Sequence, residues 1–264
     1  MRTPPRSTGF SLIELLTAMG IFLVICAASF GLLTTAMKRY RWESQALSAF
    51  QEARFGLDQI VRDVNDAGYP PPNQFQTLPA DPSLYAVTPV AWKPGYLTPA
   101  PCQITVNCTV PGDYDMILET KTDPLNPAAK VTWIRYQLAG TTLSRAVVDK
   151  TNGDPDAATQ GQLVPYVQNV VNNINNLPAA QAAKIQTEYS TMFPGGNPVP
   201  IFKYMCSSAI GPQPCTDPGV TNSPKNVRSV SVTLIVLAPV PDLQTGRLRV
   251  VELQGRGRVL NPNQ

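Results

Sequence analysis

Charged side chains are absent from the 23 residues between Glu14 and Lys38, and a regular polar pattern begins only beyond them. The run from Leu15 to Met37 is apolar on every side, and roughly 20 such residues suffice for a helix to cross a bilayer. The pattern then changes. Leu47, Phe50, Ala53, Leu57, Ile60 and Val64 recur at steps of three and four, with Glu52, Arg54, Asp58, Arg62, Asp63 and Asp66 between them. That period predicts an amphipathic helix with one face to bury. Gly68 can take a left-handed cap, and Pro70, Pro71 and Pro72 cannot continue a helix. Nothing interrupts the two patterns, so one helix from Phe10 to Ala67 is expected, about 87 Å long at 1.5 Å per residue.

Proline marks the same boundary. None of the 27 prolines lies between Arg6 and Tyr69, whereas only Pro4 and Pro5 precede that stretch. An interior proline costs a helix about 3 kcal/mol, so the segment after Pro70 must be built differently. Strand-like runs follow at 115–119, 131–138 and 142–148, the last two joined like a hairpin through Ala139, Gly140 and Thr141. Further runs at 227–237 and 247–260 are separated by Pro239, Pro241, Asp242 and Gly246. Residues 178–189, rich in alanine and glutamine, add a short helix. The economical arrangement is α+β: a long amino-terminal helix whose second half packs against a mostly antiparallel sheet of four or more strands.

Composition narrows the chemistry. Of 264 residues, 43% are hydrophobic and 15% charged, a globular balance. There is no histidine, which excludes Ser-His-Asp and Cys-His catalysis and the commonest zinc sites. A net charge of +3 does not by itself imply nucleic acid. No phosphate-cradling glycine loop is present, and no cofactor is expected.

The amino terminus is specific. Arg2 and Arg6 precede Gly9-Phe10-Ser11-Leu12-Ile13-Glu14-Leu15-Leu16, and the apolar run follows. An ordinary secretory signal has a shorter apolar stretch, and a lipoprotein signal needs small residues where Leu23, Val24 and Ile25 precede Cys26. A carboxylate such as Glu14 at the edge of a membrane helix is costly and calls for a partner. This octapeptide resembles the class III signal of type IV prepilins and of type II secretion pseudopilins. The resemblance implies cleavage between Gly9 and Phe10 by a prepilin peptidase, N-methylation of Phe10, and a pairing of Glu14 with the amino terminus of a neighbouring subunit. It implies a pilin-like plan: leader 1–9, transmembrane helix 10–37, amphipathic continuation 38–68 and periplasmic β-rich head 69–264. The stretch from Phe55 to Tyr69 and the later Val131-Thr132-Trp133-Ile134-Arg135-Tyr136 resemble the PilW family of minor pilins.

That resemblance implies a minor type IV pilin, a structural subunit and not an enzyme, held in the bacterial inner membrane before entering a filament. Its partners would be other pilins, the peptidase and an inner-membrane assembly platform. A minor pseudopilin of type II secretion is the nearest alternative, and a membrane-anchored periplasmic enzyme using carboxylates is the alternative of a different class. Loop charge leaves orientation open, with Arg2 and Arg6 before the span and Lys38, Arg39 and Arg41 after it. The cytoplasmic amino terminus rests on the resemblance.

Three groups in the head carry candidate chemistry. Cys102, Cys108, Cys206 and Cys215 allow three disulfide connectivities, and the local pairs Cys102–Cys108 and Cys206–Cys215 each enclose a short loop with turn-formers. Asp149, Asn152, Asp154 and Asp156 make an oxygen-rich loop, a weak calcium candidate without the closing glutamate of an EF-hand. Arg247, Arg249, Arg256 and Arg258 alternate near the end and could share a sheet face toward DNA phosphates, although a solvated face explains such a row as well.

Overall fold

The computed structural model describes residues 9–93, 96, 102–104, 106–126, 128–216, 223–242 and 245–260. Arg2 and Arg6 lie outside the described residues. A single helix, α1 (Leu12–Asp66), runs unbroken through both sequence patterns. From Leu12 to Arg41 every residue is exposed except the half-buried Cys26. Trp42 is half-buried, and full burial begins with Ala46 and recurs at Ala53, Leu57, Ile60 and Val64. Leu47, expected on the buried face, is 57% exposed. Ala46 lies seven residues, about two turns, before Ala53 and so continues the stripe of Ala53, Leu57, Ile60 and Val64, whereas Leu47 lies one residue, or about 100°, around the helix from it.

The head holds two antiparallel sheets where the sequence suggested one. The first has the order β1 (Val90–Ala91), β2 (Asp115–Thr120), β3 (Thr132–Ala139), β4 (Thr142–Asp149) and β5 (Val164–Val167). Two short helices, α2 (Pro155–Gln160) and α3 (Ala179–Glu188), interrupt the chain between strands. The second sheet contains β6 (Phe202–Cys206), β7 (Gln213–Pro214), β8 (Val227–Leu237) and β9 (Val250–Arg258), in the order β7-β6-β8-β9. The strands missed by sequence pattern are short, and Pro165 within β5 suits its place at a sheet edge. Their presence separates β8 and β9 from the first sheet. The predicted hairpin of β3 and β4 pairs from Thr132↔Asp149 to Ala139↔Thr142, around Gly140 at φ 60°.

Both sheets and α1 share one core. Ile60 and Val64 of the helix meet Leu118, Ile134 and Leu143 of the first sheet and Val230, Val232 and Leu234 of the second. The helix approaches β9 so closely that two positions there require glycine. A Cβ on Gly257 would lie 2.5 Å from Cβ of Val64, and one on Gly255 would lie 2.9 Å from Cγ2 of Val61.

The helix end is fastened to β2. Gly68, at φ 84°, donates its N–H to the Glu119 carbonyl at 2.7 Å. The Thr120 hydroxyl donates to the Asp66 carbonyl at 2.8 Å, and the Lys121 N–H to that of Tyr69 at 3.0 Å. The Glu119 side chain, fully buried, ties the following proline-rich segment to the sheet. Its carboxylate accepts from the Val87 N–H, Trp133 Nε1 and Lys150 Nζ at 2.7, 2.7 and 3.2 Å, and also from the Tyr96 hydroxyl. Burial pushes the Lys150 amine below its ordinary range, and the charge of Glu119 opposes that shift.

The tight approach of β9 gives a direct test. Gly257→Ala should cost about 1–3 kcal/mol, lowering the thermal midpoint by several degrees, because Val64 and the Val61 carbonyl leave no room. Gly161→Ala, where nothing lies within 4 Å, serves as the control. Equal midpoints for the two variants, read by circular dichroism, would remove the packing role given to Gly257.

Candidate functional site

The amino-terminal segment presents an accessible peptide bond followed by a capped helix. Gly9 and Phe10 lie outside α1, and both are exposed. Ser11 is the N-cap, its backbone extended at φ −72° and ψ 144°. Its hydroxyl accepts from the Ile13 N–H, and the Glu14 carboxylate accepts from the Ser11 N–H at 3.0 Å. Ser11-Leu12-Ile13-Glu14 is thus a capping box, a S-x-x-E signal that pattern reading passed over. The box folds the Glu14 carboxylate back toward the start of the helix. The negative charge there also complements the helix dipole.

Beyond Glu14, α1 offers apolar side chains all round with no cover from its own chain. Leu15, Met19, Phe22, Ile25, Leu33 and Met37 are all exposed. The length and composition of this stretch suit a membrane crossing. Lipid or neighbouring helices can bury it, and water cannot.

In the head, the cysteines form Cys102–Cys108 and Cys206–Cys215 disulfides, and Cys26 of α1 is free. The oxygen-rich loop is otherwise engaged. Asp154 caps α2, accepting from the Asp156 N–H, and Asp156 pairs with Lys93 at 2.5 Å and with Arg135 at 2.7 Å. No group of three or more acidic or sulfur ligands gathers into a metal site among the described residues. Arg135, nearly fully buried in β3, also pairs with Asp115 at 2.6 Å. Lys93 and Arg135 thus take up Asp156, one of the carboxylates that the calcium reading needed.

The four arginines do not share one face. Arg247 and Arg249 precede β9, and Arg249 stacks over the rings of Trp42 and Phe50 on α1. Arg256 and Arg258 occupy exposed positions of β9, alternating with Gly255 and Gly257 that face the helix. Sequence reading also missed a bridge between helix and first sheet. Asp63 of α1 accepts from the Tyr136 hydroxyl at 2.5 Å and pairs with Arg145 at 2.9 Å. Burial pushes the Tyr136 phenol far above its ordinary range, and the Asp63 charge adds to the shift. Spacing along the chain carries no sign of these long-range pairs.

Comparison with known proteins agrees with the local geometry at the amino terminus. Residues 4–30 match the family described as the prokaryotic N-terminal methylation motif. No curated protein matches the chain. Among solved structures, a type IV-like pilin from Thermus thermophilus aligns over 81% of this chain and 98% of its own, at 10% identity and a TM-score of 0.37. At that score the alignment carries no argument. The chain therefore carries a prepilin-type methylation motif, placed directly ahead of a long apolar helix that packs against antiparallel sheets.

Asp156 yields a pH-dependent expectation. Burial raises its carboxyl, but the hydrogen bond from Lys93 and the charge of Arg135 outweigh burial and hold it below its ordinary value of 3.8. Its contribution to stability is complete above that value and is lost as pH falls through the lower, folded-state one. Asp156→Asn should cost roughly 1–2 kcal/mol at pH 7, allowing for solvent screening of Lys93, with the difference narrowing below about pH 3.8. Urea unfolding across pH measures this, and a difference that persists unchanged in acid would contradict the assigned pairing.

Proposed function

We propose that the chain is a minor subunit of a type IV pilus, processed between Gly9 and Phe10 and assembled through α1. The carrying observation is the junction itself: an exposed Gly9-Phe10 bond and a capping box ending in Glu14, both within the residues that match the methylation motif, leading into an apolar half-helix without cover. A helix of this kind must leave the membrane into another apolar setting, and a bundle of like helices supplies it.

Cleavage would create a positive amino group at Phe10, four residues before Glu14. In the unassembled chain the Glu14 carboxylate is occupied by the Ser11 N–H of its own helix. Among packed apolar helices, a neighbour's terminal amine would be the stronger partner, since opposite charges in a low-dielectric setting attract more strongly than a charge and an amide. Such a pair fixes the axial offset between subunits, because an unpaired buried carboxylate is strongly disfavoured. The β-rich head would stay in the periplasm and then on the filament surface. A structural role of this kind needs no catalytic residues in the head.

Mass spectrometry of the chain from sheared filaments tests the reading. The expected mature chain begins with N-methylated Phe10. Any other terminus, or absence of the chain from filaments of an assembling strain, would contradict it. Glu14→Ala should leave cleavage intact while lowering the amount in filaments at least tenfold, which is about 1.4 kcal/mol. Undiminished incorporation of that variant would remove the register role.

A further inference from the structure

The far end of the second sheet holds a groove of about 970 Å³ lined by cations and, among the described residues, no carboxylate. It lies where the first residues of β8 and the last residues of β9 face each other, Ser229 opposite Arg258 and Ser231 opposite Arg256. Because alternate residues of β9 turn toward α1, Arg256 and Arg258 both stand on the outward face, about 6.8 Å apart along the strand. The opposite wall is the loop after β6, which the Cys206–Cys215 disulfide closes on itself. Ser208 and Gly211 exchange backbone hydrogen bonds across that loop.

Three arginines line this groove: Arg228, Arg256 and Arg258. None makes an ion pair among the described residues, and no carboxylate lines the groove there. Arg135 and Arg145, by contrast, are paired with aspartates. Neutral groups hold two of the groove arginines in place. Nε of Arg228 donates to the Ser207 hydroxyl oxygen, and Nε and Nη2 of Arg256 both donate to that of Ser229. Nη1 of Arg228 is buried and lacks any acceptor. Buried donors are seldom left this way, and a guanidinium whose other nitrogen is already fixed is prepared for an incoming oxyanion.

The remaining lining decides between anions. Pro212, Val259 and Leu260 give the groove apolar walls. A bare phosphate chain would leave those walls without a partner. No aromatic side chain lines the groove among the described residues, so nucleobases would find no stacking surface. An extended peptide has side chains at i and i+2 spaced as Arg256 and Arg258 are, and can offer acidic and apolar side chains together. We propose that this groove binds an acidic, extended segment of a partner protein, with carboxylates held by Arg228, Arg256 and Arg258. The disulfide-closed loop keeps one wall in place before binding, which reduces the ordering cost.

Fluorescence anisotropy on the purified full chain in detergent tests this. The probe is a blocked, dye-labelled peptide of about ten residues alternating glutamate and valine; its glutamine counterpart is the uncharged control. The glutamate peptide should bind, and the glutamine peptide should not. Affinity should fall at least tenfold in the double variant Arg256→Gln with Arg258→Gln, and also in 0.5 M salt. Arg228→Gln, which leaves the outward face of β9 untouched, should weaken binding too, with circular dichroism confirming that each variant is folded. Absence of binding, equal binding by parent and variants, or tighter binding of inorganic tripolyphosphate or a single-stranded DNA oligonucleotide than of the peptide would each overturn the proposal.

Discussion

Half of α1 has no cover within its own chain, and the head is arranged around covering the other half. A helix apolar on all sides cannot rest in water, so Leu15 to Met37 require lipid or other helices. From Ala46 onward a narrower stripe suffices, because both sheets close on it. The closeness of that fit depends on small groups: Ala46 and Ala53 on the helix, Gly255 and Gly257 on β9. With side chains at both glycines, β9 would have to move away and open the core that Ile60 and Val64 share with both sheets.

Charge has two distinct arrangements in the head. Arg135 and Lys150 are buried and Arg145 half-buried, each with a carboxylate beside it, and each pair joins segments separated in sequence. Removing one partner would leave the other buried and unpaired, the costly case for such pairs. At the end of the second sheet, arginines are instead steadied by serine hydroxyls and keep their charge unneutralised. The first arrangement fixes the fold, whereas the second leaves charge available to a visitor.

Much of α1 was legible because its information is local. A period of three to four residues, the absence of proline and the Gly68 stop all concern neighbours along one helix. The paired runs at β3–β4 and β8–β9 were legible through alternation and turn residues. The division into two sheets was not, because it rests on β5, β6 and β7, which are too short to show a period. Nor could Glu119 and Lys150 be distinguished from solvated charges; only the fold brings Trp133 and Tyr96 around them. At the amino terminus the octapeptide could be read directly, while the capping role of Ser11 was present in the letters and went unread. In the groove, Arg256 and Arg258 stood out by alternation, but Arg228, whose carbonyl accepts from the Val259 N–H, is brought beside them only by the fold.

The fastening of head to helix has a mechanical consequence. Trp42 donates to the Val240 carbonyl, Glu52 accepts from the Gln168 N–H, Asp63 holds Arg145, Asn65 accepts from the Arg258 N–H, and Gly68 donates to the Glu119 carbonyl. These attachments are spread over about 39 Å along α1 and the residues just after it, on faces turned to both sheets. A pull along the helix axis loads them side by side, in shear, so they share the force. A sideways pull at the base of the head would instead peel them apart in turn, beginning at Trp42. The head is therefore built to withstand tension along its stalk better than leverage across it.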